Sequence, residues 1–269
     1  LSVITISRGS FSGGKLLAEC LARRLGFRCI DRDVIVERAA ASGISQEALR
    51  DALEKPPGFL DRFSHKKYVY LALIQAALAE EVRTGRAIYH GLAGHLLLKS
   101  GPHILRARII APLEFRISMA QARLKLDRDQ AIAYINRMDQ QRRKWTQFLY
   151  GVDWGDPSLY DVVLNLETID IEDACRVIGG LAEQRCFAFT PEYQTAMDDL
   201  ALSSRVRANI ALNGATSNLE VEVAAHGGVV AVKGRLVSVD QLEEVERIAR
   251  AVPGVTEVNL NELAPNVQV

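Results

Sequence analysis

Residues 3–25 constrain the fold more than any other part of the chain, because they read as a buried strand, a tight turn and an amphipathic helix in immediate succession. Val3-Ile4-Thr5-Ile6 is a β-branched run of strand length, and Leu17, Leu21 and Leu25 recur with Ala18 and Ala22 at helical spacing until Gly26 ends the helix. Between them, Gly9 is followed by four residues and then Gly14-Lys15, which fits a phosphate-binding pattern. In such a loop, backbone N–H groups and a helix N-terminus surround phosphate oxygens while the lysine adds a point charge. The hydroxyl that would follow the lysine and hold magnesium is replaced by Leu16 and Leu17.

Strands and helices continue to alternate. Residues 27–30 read as a second strand that delivers Asp31-Arg32-Asp33 to its carboxyl end, where open α/β sheets bind ligands. Two carboxylates there suit magnesium, a hydroxyl or an amino group; equally, Asp31 caps the next helix and Asp33 favours its first turn. Helical composition over residues 39–63 breaks at Lys55-Pro56-Pro57-Gly58. A helix over 67–83, strands over 87–91 and 104–111, a helix from Pro112, a charged helix over 129–148, a strand over 162–166 and a helix over 171–184 follow. This alternation predicts an α/β unit with a parallel sheet covered on both faces. After a linker at 188–195, residues 196–269 read as a small α+β unit of helix, strand, strand, helix, strand, with His226-Gly227-Gly228 as the hairpin turn and a capping box at Ser238 to Gln241.

Charge narrows the chemistry. The whole chain is neutral, with 33 basic and 33 acidic residues, but residues 101–150 hold ten Lys and Arg against four acids. That excess points to an anionic ligand, and no aromatic-rich strand or nucleic-acid motif accompanies it. Arg137, Asp139, Arg142 and Arg143 lie close enough along one helix to form a cluster, either a solvated face or a lid that reaches phosphate. Cys20, Cys29, Cys175 and Cys186 are scattered, so neither zinc nor a disulfide framework is indicated, and Cys20 and Cys29 are expected as buried packing residues. No apolar run approaches a membrane span and the N-terminus lacks a leader pattern, so a cytoplasmic location is expected.

Several stretches together resemble the cytidylate-kinase-like family: Ile4 to Arg8, Ser12-Gly13-Gly14-Lys15, Asp31 with Ile35, Gly91 to Gly94, the Arg137 to Arg143 cluster, and Asp156-Pro157 through Tyr160-Asp161 to Asn165. The resemblance covers residues 1–182 and implies a P-loop kinase-type sheet over 1–187 that moves the γ-phosphoryl of ATP onto a nucleoside monophosphate, CMP or a relative, with magnesium. It implies that Gly9, Ser10, Phe11, Ser12, Gly13, Gly14, Lys15 and Leu16 hold ATP, that Lys15, Arg137, Arg142 and Arg143 are catalytic, and that Arg8, Asp31 and Asp33 meet the acceptor. The chain departs from the family at Phe11 and at Gly91-Leu92-Ala93, where the family tends to carry glycine and Gly-Arg-Gly. Residues 196–263 resemble a BON domain, through Asp199-Leu200, Gly227-Gly228-Val229-Val230 and Val252-Pro253-Gly254-Val255, which implies a small-ligand or protein partner. Two other readings stay open. Ile30-Asp31-Arg32-Asp33 is similar to the paired aspartates of shikimate-type kinases, and a loop lacking its magnesium hydroxyl suits a nucleotide sensor without turnover.

Overall fold

The structure is a computed structural model that describes residues 3–54, 66–91, 93–99, 101, 103–236, 238 and 240–265. Its first sheet has five strands: β1 (Val3–Arg8), β2 (Arg28–Asp31), β3 (Ala87–His90), β4 (Leu105–Ile110) and β5 (Val162–Asn165), in the order β2-β3-β1-β4-β5. Every pairing is parallel, with Ile4 opposite both Ile88 and Leu105. β1 is therefore central. Its side chains alternate between two cores, as a strand covered on both faces requires. Ile4 and Ile6 pack with α1 (Gly14–Leu25) and α8 (Ile171–Ala182), whereas Val3 faces α2 (Arg32–Ala40), α3 (Gln46–Glu54) and α4 (Lys66–Val82). The short α5 (Gly94–Leu97) follows β3, and α6 (Leu113–Leu124) and α7 (Arg128–Tyr150) follow β4 as a packed pair.

Trp145 anchors α7 to the rest of the domain. Its side chain is fully buried and its indole N–H donates to the Ala52 carbonyl of α3 at 2.8 Å. At the other end, Asp127 caps α7 in a capping box with Gln130. The helical region expected over 39–63 divides earlier than its sequence suggested, at residues 41–45, where Gly43 takes φ 88°. The Lys55-Pro56-Pro57-Gly58 turn lies outside the described residues.

The second unit contains β6 (Val221–His226), β7 (Val229–Leu236) and β8 (Glu257–Pro265), with β6 antiparallel and β8 parallel to β7. α9 (Pro191–Leu212) and α10 (Asp240–Arg250) cover one side of this sheet, so the helix-strand-strand-helix-strand order holds. The expected linker does not. Thr190 is the N-cap of α9, its hydroxyl accepting from the Tyr193 N–H, with Pro191 next in the first turn, a helix-start signal that precedes the helix read from Ala196, and Tyr193 and Met197 are already fully buried against the first domain. Farther along the same helix, Leu202, Val206 and Ile210 enter the small domain's own core.

One hydroxyl fastens the two units together. Tyr68 of α4 donates to the Val221 carbonyl at 2.7 Å and accepts from the Val221 N–H and from Arg207 Nε, each at 3.0 Å. Val221 begins an edge strand and is buried, so its amide has no water to fall back on. Tyr68→Phe keeps the ring under Arg207 and removes those bonds; it is expected to lower stability by about 1–3 kcal/mol. Urea unfolding, followed separately by probes in each domain, checks the size of the loss and whether the two transitions part.

Candidate active site at the carboxyl edge of the parallel sheet

β1 ends at Arg8 and the chain turns at once. Ser12 fixes the turn, its hydroxyl donating to the carbonyls of Gly9 at 2.9 Å and Ile109 at 3.1 Å. Phe11 and Gly13 adopt left-handed backbone, with φ 61° and 82°. α1 then starts at Gly14 without a side-chain cap, and the N–H groups of Gly13, Gly14, Lys15 and Leu16 have no acceptor among the described residues. Such an uncapped helix start is a place for an anion. Gly14 is needed for space, since a Cβ there would run into the Arg8 side chain. Phe11 leans on Tyr134 with ring centroids 5.9 Å apart and joins Ile117, Ala120, Ala131 and Ile135, so the loop is tied to α6 and α7.

A carboxylate on α7 holds the other side of this loop. Asp139 Oδ1 accepts from the Ser10 N–H at 3.1 Å, the Ser10 hydroxyl at 3.0 Å and Arg142 at 3.4 Å, while its Oδ2 pairs with Arg116. Arg116 Nε returns to the Ser10 carbonyl at 2.7 Å, and its guanidinium lies over Gly9. Arg142 also donates to the Arg8 carbonyl and to Ser10 Oγ. Burial lowers the pKa of Arg142 from its ordinary value, and Asp139 opposes that shift.

Beside Lys15 opens a cavity of about 260 Å³. Its cations are Arg8, Lys15, Arg32, Arg123 and Arg142, and its carboxylates are Asp31 and Asp33. Burial, then Arg142, Arg123 and Arg32, bring the Arg8 pKa down to about 10, so the side chain stays charged at neutral pH. Asp31 Oδ1 caps α2 through the N–H groups of Asp33 and Val34, as one of its two readings expected, and the residue also lines the cavity. Asp33 Oδ1 also accepts from Arg50 at 3.3 Å.

The wall facing these charges is neutral and aromatic. His90 at the end of β3, His95 on α5 and Trp154 in the segment after α7 line the same cavity. Burial, followed by Arg108 and Arg106, pushes the His95 pKa down to about 4, and burial followed by Arg8 lowers that of His90. His95 is therefore uncharged at neutral pH. Arg108 supports Trp154 from behind, 4.2 Å over the indole, and bonds its carbonyl at 2.7 Å.

The expected cluster of α7 arginines is only partly assembled. Arg142 lines the cavity, whereas Arg137 stacks on Tyr134 at 5.4 Å, and Arg143 points to solvent near Asp153, with two-thirds (67%) of its side chain exposed. Neighbouring positions on a helix are turned about 100° apart, so Arg142 and Arg143 cannot share a target. Sequence reasoning missed Arg32, Arg123, His95 and Trp154 as cavity residues. Arg123 was within reach as part of the local basic excess; nothing in the sequence marks His95 or Trp154. Cys20 is buried as expected and donates to Glu172, but Cys29 is exposed on edge strand β2, correcting its packing role. Among the described residues no group of three or more His, Cys, Asp or Glu side chains is placed to hold a metal, and no helix is long and apolar enough to cross a membrane.

Comparison with known proteins agrees with this geometry. The cytidylate kinase of Thermococcus sibiricus is 29% identical over 164 residues, 61% of this chain and 78% of that one. The cytidylate kinase of Pyrococcus horikoshii is 25% identical over 164 residues, 61% and 79% of the two chains. Among solved structures, an uncharacterized protein from Eubacterium ventriosum superimposes with a TM-score of 0.55 at 18% identity, covering 69% of this chain and all (100%) of its own, which speaks for the fold alone. Residues 198–264 match the BON domain. Residues 3–168, which carry every strand of the parallel sheet, the phosphate loop and the cavity beside it, match the cytidylate kinase-like family, and the chain belongs to that family.

Proposed function

We propose that the protein transfers the γ-phosphoryl group of ATP to a nucleoside monophosphate, CMP or a close relative, with the C-terminal unit as a ligand- or partner-binding module. The observation that carries this reading is the continuity of one cavity from Lys15, beside the open start of α1, to Arg8, Arg123 and Arg142. The amides of Gly13 to Leu16 and Lys15 hold the nucleoside triphosphate phosphates. Gly9, Ser10, Phe11 and Ser12 shape the loop, their side-chain or backbone groups being committed to Ile109, Asp139 and the α6–α7 pair. Arg8 and Arg123 bind the acceptor phosphate, and Lys15 and Arg142 stabilise the charge that spreads over the transferring group. No covalent intermediate is required, because phosphoryl transfer depends on positioning and on fixed charge.

Magnesium fits this site in a restricted way. Leu16 offers no ligand, and Oδ1 of each aspartate is engaged, by the α2 amides at Asp31 and by Arg50 at Asp33, so Asp31 Oδ2 and Asp33 Oδ2 would receive a hydrated ion. Magnesium keeps several waters and binds through one or two carboxylates together with phosphate oxygens, so a full protein cage is unnecessary. When bound with ATP it supplies neutralisation of phosphate charge. Arg137 and Arg143 contribute to catalysis only if α7 turns toward the cavity.

A coupled assay over CMP, dCMP, UMP, AMP and shikimate, with and without magnesium, tests the reaction. CMP-dependent ADP formation is expected. Consumption of shikimate alone would move the acceptor to an alcohol, and ATP binding without consumption of any acceptor would leave a nucleotide sensor. Lys15→Ala is expected to reduce kcat/KM by about 10²–10³, the scale of losing one fixed group that meets developing charge. Arg142→Ala should cost as much, whereas Arg137→Ala and Arg143→Ala, both on solvent-facing positions, should each cost less than about tenfold. Steady-state kinetics on the four variants checks this ranking.

A further inference from the structure

The cavity contains an unusual concentration of unmet hydrogen-bonding capacity. Arg8 Nε, His90 Nδ1, His95 Nε2 and Trp154 Nε1 are buried without a hydrogen-bond partner, and all four belong to residues that line it. A buried polar atom left unpaired costs about 1–3 kcal/mol, so proteins seldom gather four around one space without an occupant for them.

Two of these groups, on Trp154 and His95, are braced by their neighbours. Trp154 is held by Arg108 over its ring and by two bonds to its carbonyl, from Arg108 and from the Tyr160 hydroxyl at 2.7 Å. Tyr160 in turn shares a 3.1 Å hydrogen bond with Ser7 of β1, and its ring lies 4.7 Å from that of His95. The wall is thus preorganised, with polar atoms fixed before any ligand arrives.

Their chemistry defines what they can meet. An indole N–H and an arginine Nε–H only donate, so the ligand must bring acceptors to both. A neutral imidazole offers one donor and one acceptor. The cations of the cavity come from β1, α1, α2, α6 and α7, whereas His95 and Trp154 come from α5 and the segment before β5 and carry no charge at neutral pH. One ligand satisfying both sets has an anionic group and an uncharged ring bearing a carbonyl-type acceptor next to a further polar atom.

We propose that Trp154 and His95 are specificity-determining residues of the acceptor site, reading the hydrogen-bonding edge of a nucleobase whose phosphate is held by Arg8 and Arg123. Both side chains act through ring edges, which suits the edge of another planar heterocycle. This assignment rests on the phosphotransfer reading above and adds the base-reading residues that it lacks.

Calorimetric titration of CMP, UMP, AMP, shikimate and ATP into the wild-type protein, Trp154→Phe and His95→Leu tests it. Trp154→Phe keeps an aromatic ring beneath Arg108 and removes only the indole donor, so CMP affinity should fall about tenfold while ATP affinity stays within twofold. His95→Leu should bring the CMP-to-UMP ratio of kcat/KM toward one, a change that general loosening of the wall does not predict. Trp145→Phe leaves Trp154 as the single indole, and CMP, but not ATP, should change its fluorescence; this arm stands even if Trp154→Phe folds poorly. Unchanged CMP affinity and selectivity in both wall variants would overturn the assignment and leave the kinase reading intact. Binding of ATP with no binding of any monophosphate would overturn both. Binding of shikimate with the same dependence on Trp154 would overturn the nucleobase and point to a polyol.

Discussion

Packing like charges together at the end of a buried sheet is the constraint to which the rest of this molecule answers. Arg8, Arg32, Arg123 and Arg142 line one cavity, and burial together with mutual repulsion lowers the pKa of Arg8 to about 10. Guanidinium groups do not lose their protons at neutral pH, so the strain must be relieved by neighbours. Asp139 supplies that relief for Arg142. Its two oxygens take bonds from Ser10, Arg116 and Arg142, and one carboxylate thereby joins the phosphate loop to both helices of the α6–α7 pair. Arg108 is relieved differently, by two carbonyl or hydroxyl oxygens and the face of Trp154. The cations that remain, Arg8, Lys15, Arg32 and Arg123, share the cavity with the carboxylates of Asp31 and Asp33.

Space for these side chains comes from glycine. Gly14 yields room for Arg8, and Gly91 and Gly94 both yield room for the ring of Tyr89, which a Cβ at either position would strike. Tyr89 is almost entirely buried, and burial raises the pKa of its hydroxyl. It fills the region under the cavity on the α4 side of the sheet and keeps α5 close against β1, which determines where His95 stands. The glycines around the third strand therefore serve packing at close range, and their effect on the site is carried through the placement of α5. Leu92, between these glycines, lies outside the described residues.

Much of this architecture was legible in the sequence because it depends on short-range pattern. The strand, loop and helix over residues 3–25 are specified by apolar spacing and by glycine, and they appear as β1, the turn from Gly9 to Gly13 and α1. The antiparallel turn at Gly227-Gly228 is specified in the same way, with φ 56° and 91° at the two glycines. Features that depend on rotation about a long helix were harder to read. Arg137, Arg142 and Arg143 are equally basic in sequence, yet only Arg142 falls on the side of α7 that meets the cavity. His95 and Trp154 come from segments 59 positions apart, and their convergence follows from the placement of β3 and β4 on either side of β1. No local spacing encodes such a meeting. The early start of α9 was encoded, by Thr190 and Pro191, but the cue was outweighed by the apparent loop composition around it.

The second unit is more than an appendage to this site, because the hydrogen bonds that fasten it run on into the cavity wall. Val221 at the start of β6 is held by the Tyr68 hydroxyl, and Arg207 of α9 bonds both Tyr68 and Gln75 Oε1, the latter at 2.8 Å. Gln75 then uses its amide to donate to the Leu97 carbonyl at 3.1 Å, at the end of the one-turn helix that carries His95. A helix of four residues has little stability of its own, so its position depends on such external bonds. α9 contributes to that support while its own side chains are divided between the two cores. The small domain is therefore joined by hydrogen bonds to the short helix that carries His95 on the neutral wall. The loop from Gly9 to Gly13 is anchored separately from these contacts, by Ser12, Phe11 and Asp139.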